Sequence, residues 1–211
     1  YFNNINLDLM YAFKNQTIKE LEDDLNYILS FDIEHISTYS LILESNTYLK
    51  YINYQEIDDS LSSQMYFYIK KRLESIGYKH YEISNYAKDK VSKHNLVYWN
   101  NEEYLGLGLS ASGYIDSIRY TNTRNLDKYP LNKQEEKLSL KDKTTYFMIL
   151  GLRKIEGIYI KEFNKLFNKD IYEVYDIKDL LNKNYLILKD DNLSINPKYL
   201  YVSNSILENF V

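Results

Sequence analysis

The sequence predicts an α/β fold followed by a small helical, winged-helix-like domain. A strand–helix–strand unit opens the chain, and helices ending in a two-stranded hairpin close it. Between them, residues 78–113 hold two of the three histidines, the only tryptophan and three of the six glycines.

Residues 5–11 alternate apolar Ile5, Leu7, Leu9 and Tyr11 with Asn6, Asp8 and Met10, the period of a strand. Thr17 with Glu20 three residues on is a capping box that starts a helix striped by Ile18, Leu21, Leu25, Ile28 and Leu29. A second strand over 35–43 completes a βαβ unit with parallel strands. Residues 44–57 read as an irregular surface excursion. Asp58 or Asp59 caps a second helix carrying Leu61, Met65, Ile69, Leu73 and Ile76, and Gly77 stands at its C-cap. One strand over 78–85 is expected next, in a further βα-type unit.

Asp116-Ser117 turns a short hairpin, and 125–134 is a polar connection containing Pro130. The domain boundary is placed there, giving 1–130 and 131–211. Helices are expected over 140–155, 160–167 and 171–183. A hairpin over 185–195 follows, turned by Asp190-Asp191-Asn192, and Asn196-Pro197 starts a last helix.

The 211 residues are 45% hydrophobic and 27% charged, enough to bury a core. A net charge of -4 argues against nucleic acid as a bulk partner, and the helix over 171–183 mixes acids and lysines with no basic recognition face. No stretch has the apolar length of a transmembrane helix and no leader is apparent, so a cytoplasmic location is expected. There is no cysteine, hence no disulfide and no thiolate site for zinc or an iron–sulfur cluster. The 24 tyrosines read as coding bias. The chain starts at Tyr1 and enters a patterned strand within a few residues, so it reads as the back part of a longer protein.

Four features carry candidate chemistry. Asp8 would face a barrel interior or cleft, as a ligand-binding acid or as a structural one bonded to a loop. His94-Asn95-Leu96-Val97-Tyr98-Trp99 offers a ligating imidazole and flat faces for a planar ligand; a satisfied structural histidine is the other reading. Gly106 and Gly108 either admit a ligand to the backbone or make a tight turn. Glu82 points into a cleft or lies on a solvated edge strand.

Taken together, Asn6-Leu-Asp-Leu-Met-Tyr11, Gln16-Thr17, His35-Ile-Ser-Thr-Tyr-Ser40 and the central window resemble the HemW-type radical S-adenosylmethionine proteins, relatives of oxygen-independent coproporphyrinogen III dehydrogenase. The resemblance runs on through Leu150-Gly-Leu-Arg-Lys-Ile-Glu-Gly157 to Leu207-Glu-Asn-Phe210, and His94-Asn95 with Tyr98-Trp99 matches the family's H-N-x-x-Y-W motif. It implies the C-terminal portion of a partial (β/α) barrel followed by the small winged-helix-like domain. It also implies S-adenosylmethionine and a [4Fe-4S] cluster in the full-length protein, whose cluster cysteines belong to a preceding half, so this chain is expected to be inactive alone.

The resemblance further implies haem binding and delivery to acceptor proteins, a membrane-associated acceptor among them; porphyrinogen oxidation is the alternative activity and a non-enzymatic winged-helix module a lesser one. By the same resemblance Asp8, Gly106, Gly108 and Ser112 lie on the S-adenosylmethionine side. His94, Asn95, Tyr98 and Trp99 lie on the haem side, with His94 the candidate iron ligand. Two stretches depart from the family: Ala12-Phe13-Lys14-Asn15 replaces the usual Gly-Leu-Pro, and Ser110-Ala-Ser-Gly113 replaces a Gly-Ala-His-Ser run.

Overall fold

A computed structural model describes residues 2–211, which divide into two compact units between Val91 and Ser92.

The first unit opens with β1 (Asn6–Tyr11), α1 (Ile18–Leu29) and β2 (His35–Ser40), and β1 and β2 pair in parallel as the βαβ pattern requires. Thr17 accepts from the Glu20 backbone N–H while the Glu20 carboxylate accepts from Thr17, so the capping box is complete. A one-turn helix, α2 (Tyr48–Tyr51), lies within the stretch expected to be irregular, because Thr47 caps it. Asp58 then caps α3 (Asp59–Glu74). Leu21 and Leu25 of α1 and Met65, Ile69 and Leu73 of α3 are buried. Each contributes about 1.5–3 kcal/mol of apolar burial.

The single strand expected over 78–85 is two strands, β3 (Lys79–Glu82) and β4 (Asn85–Ala87), turned at Ile83-Ser84. The sheet order is β1-β2-β4-β3, and β4 runs antiparallel to β2, so this segment closes the sheet as a hairpin rather than as another parallel βα unit. The cause is Glu82. It is buried, and its carboxylate accepts from the Ser84 backbone N–H and the Asn85 side-chain amide, which folds the chain back locally.

The second unit begins with α4 (Lys93–Trp99), capped by Ser92. An antiparallel sheet follows, β5 (Ser112–Ile115), β6 (Ile118–Asn122) and β7 (Lys133–Lys137). Asp116 and Ser117 both have positive φ, the primed turn that a two-residue hairpin needs. β7 is wholly exposed and has no apolar alternation, so its Lys-Gln-Glu-Glu-Lys sequence carries no strand signal. A cut after residue 130 would part β7 from its partner β6.

The remainder runs α5 (Leu140–Gly151), β8 (Ile158–Tyr159), α6 (Ile160–Phe167), α7 (Ile171–Val174), α8 (Ile177–Asn182), β9 (Leu186–Lys189), β10 (Asn192–Ile195), a 3₁₀ segment Pro197–Val202 and α9 (Ser203–Leu207). The strands form a sheet in the order β8-β10-β9, the wing of a winged-helix arrangement. The helix expected over 171–183 is broken at Tyr175-Asp176, because the Asp176 carboxylate caps a new helix by accepting from the Asp179 N–H. Rings of Phe147, Phe163, Phe167, Tyr175 and Phe210 meet edge to face or tilted in the core.

Candidate functional site

The first unit places Asp8 on the exposed face of β1. Asn6 donates its side-chain amide to the Asp8 carboxylate at 2.7 Å. The parallel register sets Asn6 opposite His35 and Asp8 opposite Ser37. Strand alternation then puts all four side chains on one face. His35 is buried, with Nδ1 2.6 Å from Asn6 Oδ1 and Nε2 2.7 Å from the Tyr81 hydroxyl. Ser37 adds a 3.1 Å donation to Asn6 Oδ1. Burial lowers the His35 pKa and the Asp8 charge works against that shift, so the imidazole is neutral at pH 7. Sequence reading missed His35 and Tyr81 as part of this group. The period-two pattern carried the signal, since it aligns His35 and Ser37 with Asn6 and Asp8 once the strands are paired.

Glu82 faces neither a cleft nor solvent; it is 1% exposed and holds its own turn. Beside it, His80 stacks on Tyr86 with ring centroids 4.3 Å apart. Its Nε2 donates to the Ile83 carbonyl at 3.1 Å, while Nδ1 is buried with no hydrogen-bond partner among the described residues. Burial depresses the His80 pKa to about 4.

In the second unit, His94 and Tyr98 are one helical turn apart on α4 and meet on its surface. His94 is exposed, its Nε2 is 2.9 Å from the Tyr98 hydroxyl, and the two rings meet edge to face at 4.8 Å. Tyr104 continues the chain of rings at 4.6 Å from Tyr98. Trp99 lies on the other side of the helix. Its indole Nε1 is buried with no hydrogen-bond partner among the described residues, and the Arg153 guanidinium lies 5.4 Å from its ring centroid. Asn95 is half-buried. The motif therefore divides its labour: His94 and Tyr98 present polar atoms outward, while Trp99 ties α4 toward α5.

The glycine segment 105–109 is a loop packed on β6. A Cβ on Gly106 would overlap the Ser112 carbonyl oxygen, and Gly108 has φ +100°, so both positions need glycine. Their backbone N–H groups are used within the protein: Gly106 donates to the Tyr120 hydroxyl at 2.9 Å and Gly108 to the Tyr129 hydroxyl at 3.0 Å. Asn122 donates to both glycine carbonyls. The arrangement is a self-satisfied turn, and it lifts Leu105 and Leu107 into solvent at 68% and 79% exposure. A cleft of about 400 Å³ opens there, walled by Leu105, Leu107, Tyr120, Tyr129 and Pro130. Ser112 is exposed and shares a 2.9 Å hydrogen bond with Thr121.

Residues 138–200 match the HemN C-terminal domain family. The whole chain is 35% identical, over 225 residues, to the protein named heme chaperone HemW of Lactococcus lactis, and covers 59% of its length. Against heme chaperone HemW of Bacillus subtilis it is 36% identical over 200 residues, covering 86% of this chain and 52% of that protein. Among solved structures, the radical SAM enzyme coproporphyrinogen III oxidase (HemN) of Escherichia coli superposes with a TM-score of 0.77 at 14% identity. That match covers 97% of this chain and 54% of that one.

The chain is similar along its whole length to proteins named heme chaperone HemW, and its residues 138–200 match the HemN C-terminal domain. It spans between half and three-fifths of the length of these two HemW relatives. The HemN C-terminal match begins just before α5 and runs through the wing, so the winged module, α8 included, lies within it. At the C-cap of α8 the Lys183 charge is paired with Asp179 at 2.7 Å. The H-N-x-x-Y-W stretch from His94 to Trp99 lies on α4. An iron–sulfur cluster does not fit the residues of this chain, which has no cysteine to ligate one. No helix among the described residues is long and apolar enough to cross a membrane.

Proposed function

We propose that this chain is the C-terminal part of a radical S-adenosylmethionine haem chaperone, with His94 on the haem side and Asp8 on the S-adenosylmethionine side. The observation that carries the reading is His94. It is an exposed imidazole on α4 whose only hydrogen bond among the described residues is to Tyr98, within an H-N-x-x-Y-W frame, in a chain alignable along its length with proteins named heme chaperone HemW. An exposed imidazole held by a single hydrogen bond can ligate iron, and Tyr98 and Tyr104 add aromatic edges beside a planar macrocycle.

Asp8 suits the cofactor for a different reason. Its carboxylate is exposed and accepts one hydrogen bond, from Asn6, which leaves lone pairs for donors on a ligand. Asn95, Tyr98 and Trp99 lie on the haem side with His94, all on the one short helix α4. Gly106 and Gly108 act through the shape of their loop, with Ser112 at its return. The division at 130/131 separates barrel-derived residues from the C-terminal module in evolutionary terms. The cluster and the cleavage of S-adenosylmethionine belong to the full-length protein, in the cytoplasm, with haem-acceptor proteins as partners and a membrane-associated acceptor compatible with the fold.

The test loads the reconstituted full-length protein with haemin and offers an apo-acceptor. Soret-band transfer to the acceptor is expected. Absence of haem binding, together with vinyl product from coproporphyrinogen III under anaerobic conditions, would replace the chaperone reading with the porphyrinogen-oxidising one.

A further inference from the structure

We propose that His35 is a positioning residue for Asp8, holding the carboxylate through Asn6 so that it meets a ligand already oriented. The inference deepens the reading of Asp8 as a cofactor-binding acid and rests on it.

The argument follows donors and acceptors. The Asp8 carboxylate is acceptor-only, so the Asn6 atom 2.7 Å from it is the amide nitrogen. The Asn6 oxygen must then face His35 Nδ1 at 2.6 Å and Ser37 Oγ at 3.1 Å. An oxygen at that distance requires a proton on Nδ1. Because the buried ring is neutral, Nε2 keeps its lone pair and accepts the Tyr81 hydroxyl at 2.7 Å. Donation thus runs in one direction, from Tyr81 to His35, from His35 to Asn6 and from Asn6 to Asp8. Reversing any one link sets two acceptors or two donors against each other.

Asn6 is exposed, and without the buried imidazole behind it only the longer Ser37 hydrogen bond is left to fix the amide. The Asp8 carboxylate then loses its fixed donor and must be ordered when the ligand binds. Such supporting hydrogen bonds behind a ligand-binding group typically change affinity by about tenfold or more when removed. The arrangement follows from strand register, since β1 and β2 pair in parallel with Asn6 beside His35 and Asp8 beside Ser37.

Two measurements test it. In the ¹⁵N-labelled chain at neutral pH, NMR should find the His35 proton on Nδ1; a proton on Nε2, or an imidazolium, overturns the inference. In the cluster-loaded full-length protein, equilibrium dialysis with S-adenosylmethionine should show about tenfold weaker binding for His35→Phe. His35→Asn, whose amide nitrogen can occupy the Nδ1 position, should stay within about threefold of the unsubstituted protein. Equal affinity in His35→Phe and the parent, when Asp8→Asn has lost affinity, overturns the positioning role alone. Unchanged affinity in Asp8→Asn overturns the cofactor reading of Asp8 and the inference with it. Should His35→Phe fail to fold, the tautomer in the unsubstituted chain decides.

Discussion

The two units treat histidine in opposite ways. The first unit buries both of its histidines, His35 and His80, and holds them neutral, one in a directed hydrogen-bond relay and the other stacked on Tyr86. The second unit exposes its single histidine, His94, and engages it by one hydrogen bond to Tyr98. The same side chain is a fixed structural part in one place and an accessible one in the other. Burial makes the difference.

Acid sharpens this contrast most. His80 has a folded pKa of about 4 against an ordinary value of 6.5. Its native form is neutral, so the unfolded state takes up the proton first as pH falls. Stability is fully present above about pH 6.5 and declines until about pH 4, by roughly 3 kcal/mol. Thermal melts across that range should show the loss, and His80→Phe, which keeps a ring on Tyr86, should flatten the profile. A profile unchanged by His80→Phe would break the comparison on the first unit's side.

Gly106→Ala tests the other loop of the second unit. The added methyl has no room against the Ser112 carbonyl, and a loss of about 1–3 kcal/mol is expected in denaturant unfolding. Tyr129→Phe removes only the acceptor for the Gly108 N–H, and about 1 kcal/mol is expected. If Tyr129→Phe proved the more damaging, the loop would depend on its hydrogen bonds more than on close approach.

The βαβ unit, the capped helices and the terminal hairpin were legible because each carries local chemistry: Thr17 with Glu20, Asp58, and the Asp190-Asp191 turn. What was not legible depended on distant partners. Glu82 reads as an alternating strand residue until Ser84 and Asn85 fold back onto it. β7 has no apolar residue to announce it and exists by pairing with β6. The glycine segment looks open to a ligand in sequence, yet its N–H groups are taken by Tyr120 and Tyr129, 14 and 21 residues away. His35 became part of the candidate site only through register. His94 was visible from its motif alone.

The central claim is that His94 is the available histidine. Haemin titrated into the full-length protein and into its His94→Ala variant, followed by the Soret band, tests it most directly. The account predicts that His94→Ala weakens binding by roughly tenfold or more and alters the Soret spectrum, with the melting temperature little changed. An identical affinity and spectrum in the variant would remove His94 as an iron ligand and contradict the claim.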